Sequence, residues 1–146
     1  MYCTQIIQFD SAHRIVGHQG KCRKLHGHRY ILEATFTAAA LNNLNMIIDF
    51  AIIKNKLKTW IDKNWDHNTI LSEADKSLGK VIEICTKQKI YYLSHNPTAE
   101  GMAHYILHTI CPELFADEKA QCVAVKLYET PNCFAFVHLP EYSALR

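Results

Sequence analysis

Three histidines and a cysteine near the amino terminus have the residue types and spacing of a metal site. Residues 21–30 read KCRKLHGHRY, and His13 precedes them in the segment FDSAHRI. Residues two apart in a strand point to the same side, so His26 and His28 can present their imidazoles to one point. A catalytic zinc site uses three such ligands and leaves one position open. His13 supplies the third ligand if its strand is the hairpin partner that brings it beside His28. The alternative is that the three residues are ordinary core and surface histidines.

The cysteine of this segment has two possible uses. Cys22 lies four residues before His26. As a fourth ligand it would close the metal site and make it structural, whereas as a free thiol it would face a bound substrate. A loop cysteine can also have no chemical role. The cations around it, Lys21, Arg23 and Lys24, are candidates for binding an anionic substrate or are solvated surface charges.

Other polar residues form weaker signals. Asp66 and His67 are adjacent in WDHNTIL, where a carboxylate could orient an imidazole base or both could form the polar exit of a helix. In LYETPN, a carboxylate at residue 129 could accept two hydrogen bonds from the edge of a pterin or guanine, or be a surface acid. His104 and His108 are four apart, which fits a metal-binding pair or a solvated helix face.

The elements that must position these residues follow from the hydrophobic pattern. Strand patterns occur near residues 2–10, 28–38, 121–129 and 133–139, with a brief strand in KIYYLSH. An amphipathic helix follows Asp49, which we expect to cap it or pack beside it, and a second begins at the N-cap Thr98 and ends at Pro112. The segment between them, to about residue 88, is predicted to be loop and a short helix. Hairpins with helices on one face indicate a single α+β domain over residues 1–146.

Composition narrows the class of protein. The 146 residues are 49% hydrophobic and 21% charged, which is typical of one globular domain. A net charge of +2 and a pI of about 8.2 are too low to indicate a nucleic-acid partner. We expect no signal peptide and no membrane span, because no basic segment followed by a long apolar run is present. The six cysteines have no CxxC pairs, so we expect reduced thiols and a cytoplasmic protein.

Six motifs in one order carry a resemblance to a known family over nearly the whole chain. They are FDSAHRI, CRKLHGHRY, MIIDF, WDHNTIL, NPTAE and VKLYET. Together they resemble the 6-pyruvoyl-tetrahydropterin synthase / 6-carboxy-tetrahydropterin synthase family. The resemblance implies Zn²⁺ ligands His13, His26 and His28, catalytic Cys22, Asp66 and His67, pterin contacts Glu129 and Thr98, and triphosphate contacts Arg14, Arg23 and Lys24.

The resemblance also implies a fold and an assembly. The fold would be the tunnelling fold, with a four-stranded antiparallel sheet and two helices on one face. Three subunits would join their sheets into a barrel, and two trimers would stack into a homohexamer. The active sites would then lie between subunits, where Asp66 and His67 meet the zinc and Cys22 of a neighbour.

The implied reaction is that of a zinc-dependent lyase in queuosine biosynthesis. It would convert 7,8-dihydroneopterin triphosphate to 6-carboxy-tetrahydropterin, acetaldehyde and triphosphate. The three residues between Cys22 and His26 resemble the bacterial 6-carboxy branch, while LYET also resembles the animal branch. The alternatives are therefore a 6-pyruvoyl-tetrahydropterin synthase and, without enzymatic activity, a zinc-stabilised pterin-binding or scaffold protein.

Overall fold

Two long antiparallel strands form the centre of the sheet in the computed structural model, which describes residues 1–142. Strand β1, Cys3–His13, pairs with β2, His26–Ala38, in a register that runs from Cys3 opposite Phe36 to His13 opposite His26. Alternate residues of both strands are buried on one face, as the period-two pattern predicts. Both strands extend further than predicted, so all three histidines lie in regular, paired strand.

Four further strands complete the sheet. Strand β5, Ala120–Thr130, pairs with β2, and β6, Cys133–His138, pairs with β5, both antiparallel as expected. Two short parallel strands, β3 (Asn68–Ser72) and β4 (Ile90–Leu93), extend the sheet beyond β1. The strand order is β4-β3-β1-β2-β5-β6.

Within residues 1–142 the sheet therefore has six strands rather than the four that the resemblance implies. Only the brief strand β4 was predicted within the central segment, which was otherwise assigned to loop and short helix. Strand β3, with sequence NTILS, is buried at four consecutive positions. Burial on both faces removes the alternation by which a strand is recognised in sequence.

The described residues form three helices, namely the two predicted amphipathic helices and the predicted short helix between them, one more than the two that the resemblance implies. Helix α1 covers residues 50–64, helix α2 is Lys76–Thr86, and helix α3 covers residues 99–114. Two caps follow the prediction: Asp49 Oδ1 accepts from Ala51 N at 2.8 Å, and Thr98 Oγ1 accepts from Gly101 N at 3.1 Å.

Helix α3 continues past Pro112, where it was expected to end. The turns just before the proline are π-helical, Ile106–Ile110. Pro112 lies in the first turn of the α-helical segment Cys111–Leu114 that follows, where the missing N–H of proline is tolerated.

The core lies between the sheet and helices α1 and α3. It includes Leu57 and Ile61 from α1, Met102 from α3, and Tyr30 and Leu32 from β2. This packing fixes the ends of β1 and β2, where the histidines lie. Within residues 1–142, no helix combines the length and apolar character needed to cross a membrane.

Candidate metal centre and substrate cleft

The β1–β2 hairpin brings three imidazoles together at one end of the sheet. His13 and His26 are direct cross-strand partners, and His28 lies opposite Ser11 on the same face. The ring centroids are 4.6 Å apart for His13 and His26, 5.1 Å for His13 and His28, and 4.9 Å for His26 and His28. The three histidines singled out in the sequence thus form one cluster.

Hydrogen bonds on the far side of two rings turn their Nε2 atoms inward. His13 Nδ1 donates to the carbonyl of Pro97 and His26 Nδ1 donates to that of Lys24, each at 2.7 Å. In a neutral ring this leaves a lone pair on Nε2, and these two atoms are 3.2 Å apart. Facing lone pairs repel unless a cation or a proton lies between them, so the arrangement fits a metal ion.

His28 and Glu129 complete the cluster. Glu129 Oε1 lies 3.2 Å from His13 Nε2 and 3.4 Å from His28 Nε2. The second contact lacks hydrogen-bond geometry, so His28 Nε2 is buried without a hydrogen-bond partner in the described part of the chain. Coordination of a metal ion would satisfy this buried, unpaired nitrogen.

The spacing of the four potential ligand atoms suits zinc. They all lie within 4.8 Å of one another. Atoms bound to a tetrahedral ion at about 2.0–2.1 Å stand roughly 3.3 Å apart, close to the 3.2 and 3.4 Å contacts of this cluster. Three imidazoles and a carboxylate are also donors that zinc accepts.

Burial keeps the imidazoles in the form that binds a metal. It lowers the pKa of His13 and of His28 below the ordinary value for histidine, because the charged ring is poorly solvated there. The nearby carboxylate of Glu129 opposes this effect in both cases. At neutral pH both rings are therefore neutral and able to ligate.

A cleft of about 170 Å³ holds the predicted thiol together with the predicted pterin contacts. Cys22 is half-buried within a single helical turn, Lys21–Arg23, and it lines the cleft with Thr98 and Glu129. Since Glu129 also touches His13 and His28, the cleft adjoins the histidine cluster.

Asp66 and His67 contact each other, and His67 lines a different cleft from Cys22. His67 has a positive φ of 55°, and this backbone turn places its Nδ1 2.8 Å from Asp66 Oδ2. The hydrogen bond that His67 donates to the Asp66 carboxylate raises the pKa of His67. His67 lines a groove with Asp10, Arg29 and Gln88, among other residues, whereas Cys22 lines the cleft described above. One chain does not bring the three predicted catalytic residues to one place.

The predicted triphosphate contacts are not gathered at the cleft. Both sides of the Arg14 guanidinium pair with the buried carboxylate of Asp75. Arg23 and Lys24 are exposed, and neither is among the described residues that line the cleft. Arg14 is therefore already engaged in a structural ion pair, while the other two stay predictions.

Some contacts of the site were missed in the sequence. Glu129 was assigned to pterin binding, but its place beside the three histidines was not foreseen. The pairing of β2 with β5 could have shown this position, because Tyr128 lies opposite Ile31 and the next residue, Glu129, is therefore nearer to the His28 end of β2. The contacts of Pro97 and of Tyr30, whose hydroxyl is 3.2 Å from His13 Nδ1, had no sequence signal.

Comparisons with known proteins agree on one family. The sequence model of "6-pyruvoyl tetrahydropterin synthase" matches residues 2–140. A protein of Rickettsia felis, named 6-carboxy-5,6,7,8-tetrahydropterin synthase, is 52% identical over 135 residues, which cover 92% of this chain and 98% of that protein.

Solved structures show the same fold at low sequence identity. An uncharacterised protein of Wolinella succinogenes has a TM-score of 0.78 at 19% identity, covering 94% of this chain and 97% of the other. The 6-pyruvoyl tetrahydropterin synthase of Plasmodium vivax has a TM-score of 0.66 at 20% identity, covering 95% and 98%. The family predicted from the six motifs is confirmed, and the chain belongs to the 6-pyruvoyl tetrahydropterin synthase family.

Proposed function

We propose that this chain is a 6-carboxy-5,6,7,8-tetrahydropterin synthase. It takes 7,8-dihydroneopterin triphosphate and water to 6-carboxy-tetrahydropterin, acetaldehyde and triphosphate, as a cytoplasmic step of queuosine biosynthesis. The observation that carries the proposal is the cluster of three imidazoles beside a cleft lined by a thiol and a carboxylate. The name of the Rickettsia felis relative, at 52% identity, supports this branch of the family.

His13, His26 and His28 would hold the metal, for which Zn²⁺ is the proposed ion. Bound there, zinc would act as a Lewis acid toward the hydroxyl groups of the substrate side chain and make the adjacent C–H protons more acidic. The neutral state of His13 and His28 is a property of the protein itself, because burial disfavours their protonation.

Cys22 and Glu129 have separate tasks in this proposal. Cys22, as thiolate, takes a proton from the substrate side chain within the cleft. Glu129 accepts hydrogen bonds from the N–H and amino groups of the pterin, and Thr98 lies beside it. The carboxylate does not need to ligate the metal, since three histidines leave a position for substrate.

Asp66 and His67 would relay protons in the site of a neighbouring subunit. Within one chain His67, which is hydrogen-bonded to Asp66, lines a different cleft from Cys22. The raised pKa of His67 suits a group that gives up a proton near neutral pH. An assembly that joins the two clefts across an interface would complete the set.

Free strand edges support such an assembly. β3 pairs with β1 only at Ser11–His13, and the main chain of Asp10 bonds to Asp66 and His67, so in the described part of the chain residues 3–9 of β1 leave one edge unpaired and β6 leaves another. Exposed edges of this kind pair readily with other strands. We propose that they join subunits into a three-membered barrel and that two barrels stack into a homohexamer. Light scattering should give six chains per particle, and a monomer at micromolar concentration would contradict it.

The product of the reaction tests the proposed function. Purified protein loaded with zinc is incubated with 7,8-dihydroneopterin triphosphate, and acetaldehyde and pterins are measured by coupled absorbance and mass spectrometry. Equal amounts of acetaldehyde and 6-carboxy-tetrahydropterin are expected. A pyruvoyl-pterin without acetaldehyde would assign the other branch, and pterin binding without turnover would assign a non-enzymatic role.

A further inference from the structure

The loop that carries Cys22 has little contact with the rest of the protein. We call residues 16–25 the cysteine loop. Between residues 16 and 24 every side chain except that of Cys22 is exposed. A bond from Ile15 N to Cys22 O, 2.8 Å long, closes the loop on its own first end. This bond shapes the loop but does not fix it relative to the opposite wall of the cleft.

One residue outside the loop supplies that connection. Asn96 Oδ1 accepts from Val16 N at 3.0 Å, and Asn96 Nδ2 donates to Val16 O at 2.9 Å. The amide thus satisfies both main-chain groups of one loop residue, as a paired strand would. Within residues 1–142, the loop's remaining hydrogen bonds join it to itself or to its own ends.

The residues after Asn96 reach the other parts of the site. The carbonyl of Pro97 accepts the 2.7 Å hydrogen bond from His13 Nδ1. Thr98 donates its N–H to Asn96 O at 2.9 Å, begins helix α3 and lines the cleft with Cys22. Three consecutive residues therefore contact the cysteine loop, a histidine of the cluster and the substrate cleft.

We propose that Asn96 is a positioning residue that holds the Cys22 thiol at its working distance from the histidine cluster. Asn96 does not line the cleft in the described structure, so it acts through Val16 and the loop. Its effect on catalysis rests on the proposed function, in which Cys22 removes a proton. Displacement of such a group by about 1 Å can lower a rate roughly a hundredfold.

The direct test is the accessibility of the Cys22 thiol in zinc-loaded protein. Wild type and Asn96→Ala are treated with iodoacetamide, and the alkylation rate of Cys22 is measured by mass spectrometry relative to exposed Cys85 in the same chain. Loss of both hydrogen bonds should open the loop more often and raise this ratio roughly tenfold. An unchanged ratio would overturn the proposal.

Asn42→Ala is the matched control. The Asn42 side chain also makes two bonds to main chain in a loop, accepting from Leu44 N at 2.9 Å and Met46 N at 3.0 Å. This variant should lose similar stability but keep the Cys22 ratio and zinc content of wild type. If it raised the ratio as much as Asn96→Ala, general loosening would explain both results and the proposal would fail.

Kinetics separate positioning from binding. Asn96→Ala should lower kcat about tenfold to a hundredfold with KM within about twofold of wild type. Asn96→Asp keeps the hydrogen-bond acceptor and loses the donor, so its kcat should lie between those of wild type and Asn96→Ala. This variant replaces Asn96→Ala in the test if the alanine variant does not fold. A raised KM at unchanged kcat would contradict positioning. If wild type makes no 6-carboxy product, the proposed function fails, but the alkylation ratio still tests the role of Asn96.

Discussion

Replacement of His28 by phenylalanine should stabilise the metal-free protein and abolish its stabilisation by zinc. His28 Nε2 is buried without a hydrogen-bond partner, although the whole side chain is 20% exposed. An unpaired buried polar atom costs about 1–3 kcal/mol, and partial exposure places His28 near 1 kcal/mol. Phenylalanine keeps an aromatic ring without the polar nitrogen, and the partial exposure of this position leaves room for its larger size, so the metal-free variant should melt about 3 °C above wild type.

Zinc should reverse this order. Free zinc at a hundred times the dissociation constant stabilises the folded protein by about 2.7 kcal/mol. The variant should lose most of this gain, so wild type becomes the more stable by roughly 2 kcal/mol, the difference between 2.7 kcal/mol and the 1 kcal/mol above. The assay is thermal unfolding by circular dichroism at pH 7.5 and one protein concentration, with EDTA or with zinc.

His138→Phe is the control for the change of side chain alone. His138 lies on β6 and is outside the cluster of potential ligands. It should keep the full shift in Tm on addition of zinc. Destabilisation of metal-free His28→Phe, or a zinc shift equal to that of wild type, would refute the assignment of His28 as a ligand whose nitrogen is unpaired without metal.

Three further predictions concern the relay, the pterin contact and the core. Asp66→Asn should lower the pKa of His67 in an NMR titration, since the hydrogen bond that His67 donates to the Asp66 carboxylate raises it. The stabilisation by this pair is complete below the unfolded pKa of about 6.5 and is lost as pH rises through the raised value. Glu129→Gln should keep bound zinc and weaken pterin binding by calorimetry about tenfold to a hundredfold, whereas loss of zinc would make the carboxylate a ligand. Leu57→Ala, at a fully buried position, should lower the free energy of unfolding by about 2–5 kcal/mol in urea, and Leu44→Ala, 75% exposed, by less than about 0.5 kcal/mol.

The histidine cluster could be predicted because strand alternation is a local property. His26 and His28 lie on one face for any register of the hairpin, whereas His13 shares that face only in registers that place it opposite His26 or His28. The exact register was not predictable: His13 stands directly opposite His26, and the expected contact with His28 is a diagonal one. It depends on the conformation of the intervening loop and on packing along both strands.

The remaining features depend on contacts distant in sequence. Nothing near Arg14 indicates that Asp75, 61 residues away, would pair with it. The two short strands β3 and β4 form because the central segment folds back beside β1, which places Asn68 opposite Ser11. The contact between Asp66 and His67 requires a positive φ at residue 67, which is uncommon for a residue other than glycine and has no local sequence signal here.

The most direct test of the account compares zinc-loaded wild type with Cys22→Ala. In the proposed reaction the histidines hold zinc while the Cys22 thiol acts on substrate in the adjoining cleft. The variant should bind as much zinc and pterin as wild type and form acetaldehyde at least about a hundredfold more slowly. Formation of 6-carboxy-tetrahydropterin at the wild-type rate by Cys22→Ala, or loss of its zinc, would contradict this division of roles.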